Sequence, residues 1–360
     1  MTLLNPSPTP QPRPAIEPWK TKNPINTRLV VAASVIPAVI AVALTAIFQL
    51  AGPIGLILVF MPLQIIAAGA AGVRIYGRKG FADAMLIIFT IFFSSLVAVL
   101  LLSVLWSVIS QGFKTISPQF LFQNNKYISA TTDLAYGGVG HAIIGTLLVV
   151  GLTTLVTVPL GVAIAVYLTE TRDRGRNVVR TLLQALSGLP SVVAGLFVYS
   201  ALIVTGITGY AGWAGSLALM PLMLPTVARV AEEALRLVPM ELRTGALALG
   251  APAYRAFFMV TLPAAKTGLV TACLLGVARV IGETAPLLLT INSRNETSID
   301  LTSPMASLPT YVYQYISNSY DTSIQRAWGA ALVILMLVAI LFATARLISS
   351  GKKINLRKRK

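Results

Sequence analysis

The sequence predicts an all-α membrane helical bundle, on three observations. Of its 360 residues, 56% are hydrophobic and only 11% charged, with a mean hydropathy of +0.78; soluble domains carry about 25% charged residues. Apolar runs of roughly 20 residues, enough to cross a ~30 Å hydrocarbon core, recur along the chain. These runs lack the alternation of a barrel strand, and in lipid only helices or closed barrels satisfy every backbone polar group.

Taken in chain order, the runs place spans at about 29–50, 53–72, 84–110, 141–169, 181–205, 212–231, 264–291 and 327–349. Seven prolines fall between Pro6 and Pro24, so residues 1–27 read as a disordered tail in which a helix is not expected. Residues 28–83 read as a two-helix hairpin, turning at Ala51-Gly52-Pro53, and a basic loop, RIYGRKG. Six spans over 84–349 and a basic tail, 350–360, complete the organisation. The loops 111–140 and 292–326 are long, the one near TGYAG short, and the stretch 232–263 long again.

A net charge of +16 invites a nucleic-acid partner, but the positions of the charges exclude one. With the N-terminus assigned to the cytoplasm, only Lys114, Lys126, Arg294 and Arg326 fall outside and Arg279 within a span; the other basic residues fall inside. That asymmetry is the positive-inside rule, so the basic balance reports a multi-pass protein of the plasma membrane with both termini cytoplasmic. The first run is too long for a signal peptide and lacks a cleavage site. Cys273 is the single cysteine and reads as a small packing residue. His141, at the outer start of a span, reads as an interfacial residue.

Two stretches carry chemistry. The first is EEALRLVPMELRTGALALGAPAYRAFFMVTLPAA, 232–265. A helix containing Ala246, Leu247, Ala248 and Leu249 runs into Gly250, a residue type that readily ends helices in the left-handed conformation. A second segment, Tyr254 to Thr261, leads to Leu262-Pro263. Such an apolar knob in water either lies on the bilayer or meets a partner.

The second is ARVIGETAPLLL, 278–289, where Arg279 and Glu283 interrupt an apolar run. Charge there carries a free-energy penalty, but residues four apart on a helix share a face and can pair. Gly188-Leu189-Pro190-Ser191 and Pro286 interrupt spans too, and irregular backbone at membrane depth is tolerated where it faces protein or a water-filled cavity. The hydroxyls of Ser187, Ser191 and Thr284 could line a polar path there; equally, the prolines could merely shape packing. No P-loop, metal-spaced Cys/His cluster or nucleophile–base pair is present.

Gly250 followed, after nine intervening residues, by Val260-Thr261-Leu262-Pro263 resembles the EAA loop of ABC-importer permeases. ARVIGETAPLLL, with GHAIIGTLL (140–148), LSGLPSVVAGLFVY (186–199) and LPTYVYQYIS (308–317), resembles the A-type permease subunits of phosphate-specific ABC importers. The resemblance covers about residues 84–349 and implies a six-span type I importer core, with the N-terminal hairpin outside it. It further implies that Ala246 to Leu249 dock into an ATP-binding subunit, with Gly250 and Pro263 shaping the elbow. The family's E-A-A stands here as Thr244-Gly245-Ala246, with Glu241 one turn earlier.

The implied partners are a homologous C-type permease, two ATP-binding subunits and an extracytoplasmic phosphate-binding protein, in membrane lipid. The chain itself is then a non-catalytic subunit that holds no cofactor, since ATP belongs to a partner. On this reading Arg279 meets phosphate, because a guanidinium fork matches its oxygens bidentately. Glu283 is the arginine's resting partner, keeping binding weak enough for release. The alternatives are a clamp that only holds the bundle, import of another oxyanion such as sulfate or molybdate, and an ion-driven carrier using the pair as a proton relay.

Overall fold

The computed structural model describes residues 24–47, 52–171 and 173–349; most of the proline-rich tail, the basic C-terminal tail and Arg172 lie outside the described residues. The chain forms two compact units, Met1–Ser103 and Val104–Lys360. All described secondary structure is helical, in agreement with the expected fold class.

In the first unit, α1 (Pro24–Ile47) starts earlier than the proline count suggested. Pro24 occupies the first helical position, where its missing N–H leaves nothing unpaired. α2 (Gly52–Gly112) carries one non-helical residue, Gly77, at φ 67° and ψ −155°. The RIYGRKG stretch is therefore no open loop; helix runs up to Gly77 and resumes after it, because only a residue without Cβ takes this turn cheaply. The halves fold back closely, for a Cβ on Gly72 would strike the Gly80 carbonyl oxygen and one on Gly69 would come within 2.8 Å of the Phe81 ring.

The second unit is built from a short α3 (Pro118–Phe122), the long α4 (Gly140–Glu170), and α5 (Gly175–Ser187) followed by α6 (Ser191–Val198). A π-helical turn (Tyr199–Ile203) extends α6, and α7 (Gly212–Arg236) follows. Next come α8 (Met240–Ala248), α9 (Ala253–Ala256), a second π-helical turn (Phe257–Thr261), α10 (Leu262–Ala264) and α11 (Lys266–Val280). The chain closes with α12 (Ala285–Thr290), α13 (Leu308–Ile316) and α14 (Asp321–Ser349). Five described helices are long and apolar enough to cross a membrane, or up to seven if two bent pairs each count as one span. One of the five is α2, which Gly77 divides, and each of the eight expected apolar runs overlaps a described helix.

α4 and α7 form the centre. Ser216 Oγ donates to the Val149 carbonyl at 2.9 Å and Thr153 Oγ1 to the Ser216 carbonyl at 3.2 Å. Small residues admit this closeness, and hydrogen bonds between helices replace the hydrophobic drive that lipid removes. Val149, Leu219, Met223, Val227, Val280 and Ile291 fill the core around them.

The two long loops that the charge distribution assigns to the outside fold into one cap. Asn125, fully buried, donates to the hydroxyls of Tyr311 and Tyr315 at 2.9 and 2.6 Å and accepts from Gly138 N–H at 2.9 Å. Asn125 N–H also donates to the Asn295 carbonyl, and Leu308 N–H to Thr146 Oγ1 at 2.8 Å. At the exposed rim Lys126 pairs with Glu296 at 2.7 Å. That hydrogen bond, with the charges of Lys126 and Arg294, holds Glu296 below the usual carboxylate range.

Two expectations change here. His141 is buried against the Tyr311 ring, centroids 5.8 Å apart, not interfacial, because the cap covers the start of α4. Arg326, expected in the outer loop, lies in the second turn of α14, fully buried, and donates to the carbonyls of Thr132 and Asp133 at 3.1 and 2.8 Å.

Asn125→Leu leaves two tyrosine hydroxyls and a Gly138 N–H short of a partner. The expected loss is on the order of 3 kcal/mol, read as a melting temperature lower by about 5–10 °C in detergent. An unchanged melting temperature would show that Asn125 does not hold the cap.

Candidate functional site

The broken spans carry the first set of expected residues. α11 ends at Val280, and Ile281 to Thr284 form a turn before α12, where Pro286 sits near the N-terminus. A proline ring clashes with the carbonyl four residues earlier and biases its predecessor away from helix. The chain tolerates this within α4 at Pro159 and within α7 at Pro221 and Pro225, but here Pro286 is joined by Gly282, whose weak helix propensity favours the break. The expectation that Arg279 and Glu283 share one helix face is therefore corrected. Arg279 occupies the exposed last turn of α11, while Glu283 lies beyond the helix end, half-buried. Among the described residues no ion pair joins them, and none engages either. The fold supplies Arg279 with a different electrostatic partner, the negative end of its own helix dipole.

The second break lies at Gly188-Leu189-Pro190, where α5 and α6 meet at 98°. Ser187 Oγ donates to the Leu183 carbonyl at 2.8 Å, and Ser191 is the first residue of α6. Thr284 Oγ1 reaches the Gly282 carbonyl at 3.5 Å. The two breaks are neighbours: a Cβ on Gly195 would lie 2.5 Å from Pro286 Cα. α6 and α12 thus touch backbone to backbone, which brings Ser191 and Thr284 into one region. Ser187 stands on the other side of the bend, its proton committed to its own helix.

The cytoplasm-assigned knob is ordered by hydrogen bonds. α8 ends at Ala248, with Leu249 as its cap and Gly250 at φ 83°. Gly250 N–H donates to the Leu247 carbonyl at 2.9 Å and Ala251 N–H to the Ala246 carbonyl at 3.1 Å. This pair is the Schellman termination, in which a glycine takes the left-handed residue. α9 follows after Pro252, and Pro263 is the second residue of the short α10, before a 67° bend into α11. Leu249 is 91% exposed, and Leu242, Tyr254, Phe258 and Met259 are also uncovered. The knob is anchored rather than loose: Arg243 donates to both carboxylate oxygens of Glu170, one at 2.9 Å, fixing α8 to the last residue of α4. Glu232 accepts from Arg180 at 2.8 Å and Arg236 at 2.6 Å.

Sequence reasoning missed the buried cap of Asn125, Tyr311, Tyr315 and Arg326. The spacing of Tyr311 and Tyr315, four apart on one helix, was the available signal; nothing in the pattern announced Asn125. Among the described residues, no group of His, Cys, Asp and Glu could hold a metal ion.

Residues 157–353 match the family described as the binding-protein-dependent transport system inner membrane component. The phosphate transport system permease protein PstA 1 of Mycobacterium tuberculosis (strain CDC 1551 / Oshkosh) is 39% identical over 263 residues, 72% of this chain and 86% of the relative. The protein named PstA from Haemophilus influenzae (strain ATCC 51907 / DSM 11121 / KW20 / Rd) is 36% identical over 252 residues, 69% and 87% of the two chains. Among solved structures, a chain of the inward-facing MetNI methionine ABC transporter aligns at a TM-score of 0.46 and 20% identity, covering 59% of this chain and 93% of that one. The chain belongs to the PstA phosphate transport permeases, within the binding-protein-dependent inner membrane components.

Proposed function

We propose that this chain forms half of the translocation pathway of an ATP-driven inorganic phosphate importer, and that Arg279 is the residue phosphate passes. The observation that carries this is the separation of Arg279 from Glu283 by the break at 281–284. A guanidinium in a membrane span with no carboxylate partner is a costly feature that packing does not require. A guanidinium offers a planar pair of donors to an anion. Glu283 and Thr284, on the turn, and Ser191, across the Gly195–Pro286 contact, flank the same route. Ser187 stands at the bend.

The pathway is completed by a homologous C-type permease. An extracytoplasmic phosphate-binding protein delivers the anion, and two ATP-binding subunits drive the cycle from the cytoplasmic side, where both termini lie. Ala246 to Leu249 are the docking surface. Gly250 holds α8 at a fixed angle to α9, and Pro263 directs the next span. The pathway core is 84–349, flanked by the hairpin of 28–83. The chain itself binds no nucleotide and catalyses no reaction.

Two measurements test this. Arg279→Lys keeps the charge but loses the fork, so phosphate uptake should fall by about one to two powers of ten, the weight of one charge-assisted hydrogen bond of ~1.5–3 kcal/mol felt at the barrier. Arg279→Gln combined with Glu283→Gln should stay inactive at equal expression. Near-normal uptake by the double variant would reduce the pair to a structural clamp.

Gly250→Val places a β-branched residue at φ 83°, an unfavourable conformation by roughly 1–2 kcal/mol. The variant should insert normally, yet lose co-purification of its ATP-binding subunit and most ATP-driven uptake. Wild-type co-purification and uptake would remove the docking assignment.

A further inference from the structure

Against α8 lies a cavity of about 520 Å³, with Leu247 of the knob in its wall. Its walls come from the end of α4, the start of α5, the end of α7, α8 and the second π-helical turn. Three arginines, Arg176, Arg236 and Arg243, face it with a single carboxylate, Glu170. Arg243 is held by Glu170 and Arg236 by Glu232, whereas Arg176 has no carboxylate partner among the described residues. Two of the lining groups are orphaned. Arg176 Nε is shielded from solvent without a hydrogen-bond partner, and so is the hydroxyl of Thr261, a residue only 5% exposed. A buried donor left unpaired costs about 1–3 kcal/mol, and native folds pair nearly all such groups.

We infer that this cavity is a second anion site, on the face that the charge distribution assigns to the cytoplasm, and that it takes a phosphate group. The cavity has a surplus of positive charge, guanidinium donors from α5 and α8, and a hydroxyl from a third element. Guanidinium forks and a hydroxyl suit the several oxygens of a tetrahedral phosphate better than a single spherical ion. The volume exceeds one bare ion, leaving room for a substituent. Two sources share this chemistry, free inorganic phosphate and the headgroup of an anionic phospholipid. Val178 and Leu182, two and six residues along α5 from Arg176, are exposed and suit a neighbouring acyl chain. An occupant held by Arg176 and Arg243 ties α5, which leads into the broken span, to α8. The site is separate from Arg279 and does not depend on the transport reading.

The test uses the full chain carrying Arg279→Gln, so that the pathway arginine contributes nothing. In nanodiscs of phosphatidylcholine alone, equilibrium binding of radiolabelled inorganic phosphate is measured. In nanodiscs containing phosphatidylglycerol as well, native mass spectrometry counts the anionic lipid retained. Each arm is repeated with Arg176→Gln and with the near-isosteric Thr261→Val, which guards against a folding defect in the first. The expected result is retention in one arm or both, reduced about tenfold or more by Arg176→Gln and to a lesser degree by Thr261→Val. Retention of phosphate assigns the free ion; retention of phosphatidylglycerol alone assigns the headgroup. Retention of neither ligand, or equal retention by well-folded variants, overturns the site and leaves a cavity filled by water.

Discussion

Everything specific in this fold depends on how it interrupts helices inside a membrane. Lipid offers no hydrogen bonds, so a broken helix survives at depth only where protein covers it. The contact between Gly195 and Pro286 meets that condition for two breaks at once, because the backbone of α6 lies directly on that of α12. Each break shields the other. The 98° turn between α5 and α6 and the turn after α11, which carries Glu283 off the helix of Arg279, flank this single contact.

Much of this was legible in the sequence, and for definite reasons. Hydropathy located the crossings, because a span must be about as long as the bilayer is thick. Gly250 announced a helix end, and the structure shows the left-handed residue with both of its terminating hydrogen bonds. What failed were inferences that assumed helical continuity. Arg279 and Glu283 have helical spacing, yet Pro286 lies within reach of the same turn and a proline acts on the four residues before it. The same oversight in reverse turned RIYGRKG into a loop, although only Gly77 in it departs from helix. Interactions between distant segments left no periodic trace, which is why Asn125 and Arg326 went unread.

The cytoplasm-assigned face uses charge differently from the membrane interior. Glu170 and Glu232 each engage arginine from another element or turn, and these carboxylates fix α8 to the end of α4 and the end of α7 to α5. An apolar knob anchored at its base transmits displacement to the helices beneath it. One on a slack tether would absorb it. The cap on the opposite face reaches the same rigidity through neutral hydrogen bonds, with a buried asparagine and two stacked tyrosines.

The asparagine at the centre of that cap constrains how the protein is made. Asn125 and Tyr311 are separated by 186 positions in the chain, and Arg326, which closes over the same loop, comes later still. The first outer loop leaves the ribosome long before its partners exist. During synthesis Asn125 must stay hydrated while several further helices are threaded through the insertion machinery, and the cap assembles only as the final helix arrives. A chain cut short by a premature stop, or stalled before α13, presents that loop unpaired. The cap therefore records whether synthesis has been completed, and a protease on its side of the membrane that cleaves unpaired loops would discriminate finished molecules from fragments without inspecting any other part of the fold.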